Sequence, residues 1–224
     1  MTRILAGSDI HGSHFVYKWL VQKAHENSVD VLVLAGDLLG CPDGYDTVED
    51  AQRQDASAIV RILQRTRVPV YYIMGNDDLV ELDPRSDQFI SIHGRRVELA
   101  KRNFVGYQYS LPFMGGVYEK PENEIRADLG HLECLVDTET ILVTHSPAYG
   151  VLDIGVLDIH AGSLSILDMV RNRGVRAHIH GHIHRCFGRA GRHFNVASGG
   201  RCRAMLIDLE TLDATVEKGP EGAA

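Results

Sequence analysis

Apolar runs alternate with amphipathic stretches along the first third of the chain, and their order predicts a strand–helix–strand–helix–strand unit. Residues 2–7 read as a buried strand and 8–11 as the loop leaving it. Ser13 is read as the N-cap of a helix reaching about Asn27, in which Phe15, Val16, Trp19 and Leu20 recur at helical spacing and form one apolar face. Residues 29–35 are a continuous apolar run ending in Gly36-Asp37, the pattern of a parallel strand buried on both faces. A second helix is expected over 47–65, and a third strand over 68–74 that ends in the turn Gly75-Asn76-Asp77-Asp78. This order implies an α/β fold whose parallel sheet is built through right-handed crossovers.

The pattern is more broken after that. Short strands are expected at 89–92, 96–99 and 104–107, with Gly94 marking a turn, followed by a helix over 119–136 interrupted or frayed at Gly130. A strand over 140–144 leads into His145-Ser146-Pro147, a helix covers 163–172, and a further strand covers 175–180. From Cys186 onward the chain reads as a β-meander with turns at 188–191 and 198–200. Residues 1–217 are read as a single domain and 218–224 as a loose tail.

Composition narrows the class. A length of 224 residues with 44% hydrophobic positions suits one domain with a full core. No apolar stretch is long enough to cross a bilayer, and the N-terminus lacks a signal-peptide apolar region, so a cytoplasmic protein without a membrane partner is expected. Cys41, Cys134, Cys186 and Cys202 are dispersed, which argues against a thiolate zinc site or a disulfide framework. A net charge of −7 disfavours nucleic acid as a partner. It leaves room for a small phosphorylated substrate, because bound metal reverses the local sign. A homo-oligomer is compatible with the chain. Histidine is the outlier: of twelve, four alternate in His178-Ile179-His180-Gly181-His182-Ile183-His184.

The informative feature is where the polar residues fall. Asp9 and His11, Asp37, Asn76, His145, and the His182/His184 pair each follow directly on an apolar strand. In open α/β sheets, loops at the carboxyl ends of strands converge on one crevice. All seven residues are nitrogen or oxygen donors, a set suited to manganese, iron, zinc or nickel. In extended backbone, residues two apart share a face at ~6–7 Å, which is expected for Asp9/His11 and His182/His184, and such a separation can straddle two metals ~3.5–4 Å apart. Each residue has a plainer reading by itself. Asp9 or Asp37 could cap a helix, Asn76-Asp77 could be turn chemistry, and His145 a satisfied loop histidine. His178 and His180 are left with a structural role on the strand, and His14, His25, His93, His131 and His193 are placed on surfaces or in turns.

Asp9-Ile10-His11, Gly36-Asp37, Gly75-Asn76-Asp77-Asp78, Thr144-His145 and Gly181-His182-Ile183-His184 resemble, in order, the motifs of the calcineurin-like metallophosphoesterases. Ser8-Asp9-Ile10-His11-Gly12 and His160-Ala161-Gly162-Ser163 resemble their small Icc-related bacterial and archaeal group. The resemblance implies a four-layer α-β-β-α sandwich with a dinuclear site at the strand C-terminal ends. It assigns Asp9, His11, Asp37 and His184 to one metal, and Asp37, Asn76, His145 and His182 to the other, with Asp37 bridging. It also places Asn76 and His160 near the substrate. The implied reaction is hydrolysis of a phosphodiester or phosphomonoester by a metal-bound hydroxide.

One residue departs from the family pattern. The usual Gly-Asn-His-Asp or Gly-Asn-His-Glu carries a histidine near the leaving group, and Asp77 stands at that position here. Either Asp77 donates a proton in its place, or it stays ionised and repels a monoester dianion, favouring diesters. The alternative function is a metal-binding scaffold of the same fold with little turnover. Substrate selection is expected from residues 79–121 and 147–163, where Tyr107, Tyr109, Phe113 and the flexible Gly115-Gly116 shape a pocket wall or a lid, or the aromatics are simply core. Arg95 and Arg96 either meet phosphate or, the preferred reading, are solvated turn residues.

Overall fold

Twelve strands and four helices emerge in the computed structural model, which describes residues 2–82 and 86–220. The first sheet is built around three parallel strands, β1 (Arg3–Gly7), β2 (Val31–Ala35) and β3 (Val70–Ile73). The helices α1 (His14–Glu26) and α2 (Val48–Leu63) connect them, and β4 (Phe89–Ser91) extends the parallel edge. The second sheet contains β5 (Arg96–Leu99), β6 (Arg102–Tyr107), β7 (Thr140–Thr144), β8 (Ala177–His180), β9 (Gly188–Ala190) and β10 (His193–Asn195). Its order is β5-β6-β7-β8-β10-β9, crossed by α3 (Glu122–Leu132) and α4 (Leu164–Arg173).

Alternation along the buried strands explains the layering, because successive side chains point to opposite faces. Leu5, Leu32, Leu34 and Tyr72 face α1 and α2, while Ile4, Ala6, Val33, Ala35, Tyr71 and Ile73 face the other sheet. There they meet Phe104, Ile141, Val143, Ala177, Ile179 and Phe194. The far face of the second sheet packs Val105, Tyr107 and Leu142 against Ile125 and Leu129 of α3 and Ile166 and Val170 of α4. The result is the four-layer α-β-β-α sandwich. Among the described residues, no helix is long and apolar enough to cross a membrane.

Several expectations need correction. The tail is not one meander: β9 and β10 finish the second sheet, and the chain then crosses over. β11 (Arg203–Asp208) pairs antiparallel with β1 in the first sheet, and β12 (Ala214–Lys218) pairs with β11. Turn residues cannot signal that crossing, because the choice of sheet is a long-range pairing. Phe15 is 48% exposed, and α1 buries Val16, Tyr17, Trp19, Leu20, Val21 and Ala24 instead. Gly130 sits in an unbroken α3, which is followed by a 3-10 turn over Glu133–Leu135. After Lys218, the Gly219 N–H donates to Cys202 O at 2.8 Å, and residues 221–224 lie outside the described residues.

His178 and His180 are fully buried on β8, and their rings stack at 5.0 Å. His178 Nε2 lies 2.8 Å from Thr144 Oγ1, and its Nδ1 lies 3.0 Å from Nδ1 of His193 on the neighbouring β10. His193 is therefore half-buried in the sheet rather than a surface residue. Burial, with nearby positive charge, pushes the His193 ring down to about 4 and holds His178 well below its ordinary value. An unfolded histidine titrates near ~6.5, so between that pH and about 4 the unfolded chain binds more protons and stability rises with pH. The contribution is intact above ~6.5 and is lost on acidification. The thermal midpoint of metal-free protein should fall from pH 7 to pH 5, and less steeply in His193→Gln. Equal pH slopes for the two proteins would refute this account.

Candidate metal centre

Five loops leave the carboxyl ends of β1, β2, β3, β7 and β8, and these deliver the polar residues singled out in the sequence. Asp9 and Asp37 follow two adjacent parallel strands and are buried, at 0% and 3% exposure. Buried carboxylates so close together need compensation, because each ion loses its hydration. Their ion-pair partners among the described residues are imidazoles: His184 Nε2 lies 3.0 Å from Asp9 Oδ1, and His145 Nε2 lies 3.3 Å from Asp37 Oδ2. The remaining oxygen valences are met by N–H and hydroxyl donors. Asp9 accepts from the His182 N–H at 3.0 Å and from the Ser8 hydroxyl, and Asp37 accepts from the Asp77 N–H at 2.9 Å.

Two clusters result. Donor atoms of Asp9, His11 and His184 lie within 4.8 Å of one another, as do those of Asp37, His145 and His182. Asn76 joins the second, with Oδ1 3.0 Å from His145 Nε2. A third overlapping group, His11, Asp37 and Asp77, connects the two. His145 lies 2.9 Å through Nδ1 from the carbonyl of Ala35. An Nδ1–H donated there turns the Nε2 lone pair toward Asp37 and Asn76, the usual way a metal-binding imidazole is oriented.

Charge tells the same story. Taking the protein groups alone, burial opposes protonation of His145, yet the Asp37 and Asp9 carboxylates outweigh it and push its pKa up to about 10. Burial would raise Asp37, but His145 and His11 reverse that and lower it; Asp9 is lowered against its burial mainly by the hydrogen bond with His184. Burial brings His182 down to about 4, with His145 adding to the effect. Two carboxylates thus remain ionised and draw a proton between them. That pocket of negative potential, lined by nitrogen and oxygen donors, fits a divalent cation in place of the proton.

The backbone corrects one expectation. Asp9 (φ 54°), His11 (φ 48°), Asp37 (φ 51°) and His182 (φ 69°) all adopt left-handed conformations, so Asp9/His11 and His182/His184 are not spaced by extended backbone. Left-handed non-glycine residues cost of order 1–3 kcal/mol each and persist where the surroundings over-determine them. Glycine is required for close approach at Gly181, where a Cβ would collide with Ser8 and the Asp9 carboxylate.

The remaining candidates fall in different places. Asp77 has a side chain 46% exposed at the cleft, 3.5 Å from His11 Nδ1. His160 Nδ1 lies 2.8 Å from Asp153, and the ring packs on Tyr149 at 4.9 Å, while its neighbour Ala161 lines the cleft. Tyr107 is core, whereas Phe113 lines the cleft and meets His182 edge-on. Arg96 pairs with Asp137 at 2.7 Å, and Arg95 donates to Ser91 O, both away from the centre. His93 is wedged between Tyr107 and Tyr109 rather than solvated. Of the segment 79–121, residues 83–85 lie outside the described residues.

Asp78 was not singled out in the sequence. It is fully buried and accepts the N–H groups of Leu38 and Leu39 at 3.0 and 2.8 Å and of Gly75 at 2.8 Å, tying the Asp37 loop to the Asn76 loop. Its sequence signal was the closing acid of the Gly-Asn-His-Asp pattern, to which no role was attached.

A two-sheet sandwich with paired Asp/His clusters at its strand ends suits a metal-dependent phosphoesterase. The chain belongs to the calcineurin-like phosphoesterase family, whose sequence profile matches residues 2–186. Comparison with curated proteins finds no match. Among solved structures, TT1561 of Thermus thermophilus is 18% identical with a TM-score of 0.73, over 97% of this chain and 98% of that one. A dimetal phosphatase from Danio rerio is 12% identical with a TM-score of 0.58, over 92% and 95%. GAP50, the anchor in the inner membrane complex of Plasmodium, is 13% identical with a TM-score of 0.54, over 99% and 89%. At these identities the likeness is one of fold.

Asp78→Ala leaves three backbone donors without their acceptor, each costing about 1–3 kcal/mol when buried. The variant should unfold at lower denaturant and retain less metal after dialysis than wild type. Unchanged stability and unchanged metal retention would show that the Asp78 brace is dispensable.

Proposed function

We propose that the chain is a two-metal phosphodiesterase, and the observation that carries the diester reading is Asp77. Its carboxylate lines the cleft, accepts from Asn76 Nδ2 at 3.1 Å and faces His11. Burial and the Asp37 charge raise its pKa, while the amide donor and the His11 ring favour the ionised form. An anion there repels a monoester dianion more than a diester monoanion.

Asp9, His11, Asp37 and His184 would hold one cation, and Asp37, Asn76, His145 and His182 the other. Divalent cations in such a site supply Lewis acidity toward phosphoryl oxygens and lower the pKa of water. The chain's own groups do the positioning. Ala35 O orients His145, the His182 N–H orients Asp9, and the Asp77 N–H orients Asp37. With no histidine after Asn76, proton donation to the leaving group is weak, which favours esters of acidic alcohols or phenols. The fold alone does not settle activity, since the anchor GAP50 shares it.

With manganese restored, wild type should turn over bis(p-nitrophenyl) phosphate faster than p-nitrophenyl phosphate, and Asp77→His should shift the ratio toward the monoester. A wild-type preference for the monoester that the substitution leaves untouched would exclude the role given to Asp77. Metal binding without turnover of either ester would favour the scaffold reading. Metal analysis should give two ions per chain, falling to at most one in Asp37→Ala; two ions retained by that variant would rule out a bridging carboxylate.

A further inference from the structure

The cleft at the metal centre has two halves, and His11, Asn76 and Asp77 belong to the walls of both. One half, about 370 Å³, continues between Phe113, Val156, Ala161 and Ile183. The other, about 390 Å³, continues past Leu39, Cys41, Val48, Leu79 and Met114. Both volumes are in the range of small-molecule subsites. Consecutive residues of one loop therefore serve opposite halves, Phe113 the first and Met114 the second. Both are apolar and largely in water, at 63% and 76% exposure.

That loop is held firmly. The Glu119 carboxylate accepts the N–H groups of Phe113 at 2.8 Å and of Met114 and Gly115 at 2.9 Å. Underneath, Gly116 rests on the Asn76 carbonyl with no space for a Cβ, and the Phe113 ring lies 6.0 Å from that of His182. Charge-assisted bonds to three successive N–H groups fix the partition against the metal ligands themselves.

We propose that the two halves receive the two organic groups of a phosphodiester, one on each side of the Glu119-held loop, with Phe113 and Met114 as specificity-determining residues and Glu119 as a positioning residue. The inference rests on the phosphodiesterase reading of the same centre. Two ester arms diverge from one phosphorus, as the two halves diverge from one group of donors; a monoester fills only one. Phe113, Val156, Ala161 and Ile183 give the first half an apolar wall suited to an aromatic arm, while in the second Leu39, Val48 and Met114 share the wall with Gln52, whose amide is bonded to Asp77 O and the Leu79 N–H. Arg185, the cation at the edge of the first half, is already paired with Asp158 at 3.0 Å and donates to Gly155 O at 3.1 Å.

Phosphinates test this without turnover, because their phosphorus–carbon bonds do not hydrolyse and they carry the single charge of a diester. Manganese-loaded protein is titrated calorimetrically with dimethylphosphinate, methyl(phenyl)phosphinate and diphenylphosphinate. Each phenyl group should tighten binding by about tenfold, the scale of burying one aromatic ring. Phe113→Ala and Met114→Ala should each weaken diphenylphosphinate by most of one such step. Only one of the two should weaken methyl(phenyl)phosphinate, and neither should move dimethylphosphinate beyond about twofold. Glu119→Gln, which keeps one acceptor oxygen, should weaken diphenylphosphinate several-fold at unchanged metal content and thermal midpoint. Equal affinities for the three ligands, or variants that weaken all three alike, would overturn the two-arm assignment. If affinity is graded as expected but bis(p-nitrophenyl) phosphate is not hydrolysed, the phosphodiesterase reading fails and the binding assignment stands. If hydrolysis occurs with flat phosphinate affinities, the two-arm assignment fails alone.

Discussion

The repulsion between two buried carboxylates governs this molecule. Parallel pairing puts β1 and β2 about 4.8 Å apart, so the residues following them, Asp9 and Asp37, emerge side by side out of reach of bulk water. No arrangement of apolar neighbours would tolerate that. The protein surrounds both acids with N–H and hydroxyl donors and sets imidazoles against their oxygens. Even so, the balance draws a proton onto His145 against a strong burial penalty. A site that pulls a proton onto a buried ring is arranged for a positive charge, and its donors suit a metal better than a proton.

The same constraint accounts for the odd backbone around it. At the ends of β1, β2 and β8, Asp9, His11, Asp37 and His182 all adopt left-handed φ values. Those residues would relax if their loops were free. Asp78 ties down two of the loops with N–H bonds, and Gly181 lets the β8 loop approach Asp9 directly. Stability is thus spent to hold these donors in place, with residues of ordinary turn composition kept in strained conformations.

Much of this was legible in the sequence because strand ends are. Apolar runs such as 31–35 announce buried parallel strands, and polar residues directly after them gain meaning from where α/β sheets put their crevices. What the sequence hid depends on pairings far apart along the chain. The crossing of β11 back to β1 spans almost the whole protein, and local turn chemistry carries no trace of it. Asp78 looks like another turn aspartate, and its role appears only when Leu38 and Leu39 come within reach from forty residues away. Phe15 illustrates the limit of helical spacing. It lies beside the apolar stripe of α1, but the face that buries Val16, Tyr17, Leu20 and Ala24 leaves Phe15 in water.

The two sheets divide the labour at the centre, and this makes the core between them part of the site. The first sheet contributes both carboxylates, His11 and Asn76; the second contributes His145, His182 and His184. Neither the Asp9 cluster nor the Asp37–His145–His182 cluster comes from one sheet, so donor spacing within each depends on how Ala35, Val33 and Ile73 pack against Val143 and Ile179. The contact of His145 with the carbonyl of Ala35 crosses that boundary directly, linking the end of β7 to the end of β2. Interiors packed at crystal-like density transmit small volume changes rather than absorbing them. An enlarged side chain at Ala35 would therefore act on the candidate metal centre by prising apart the two halves of the donor set, first through His145, whose ring meets the Ala35 carbonyl.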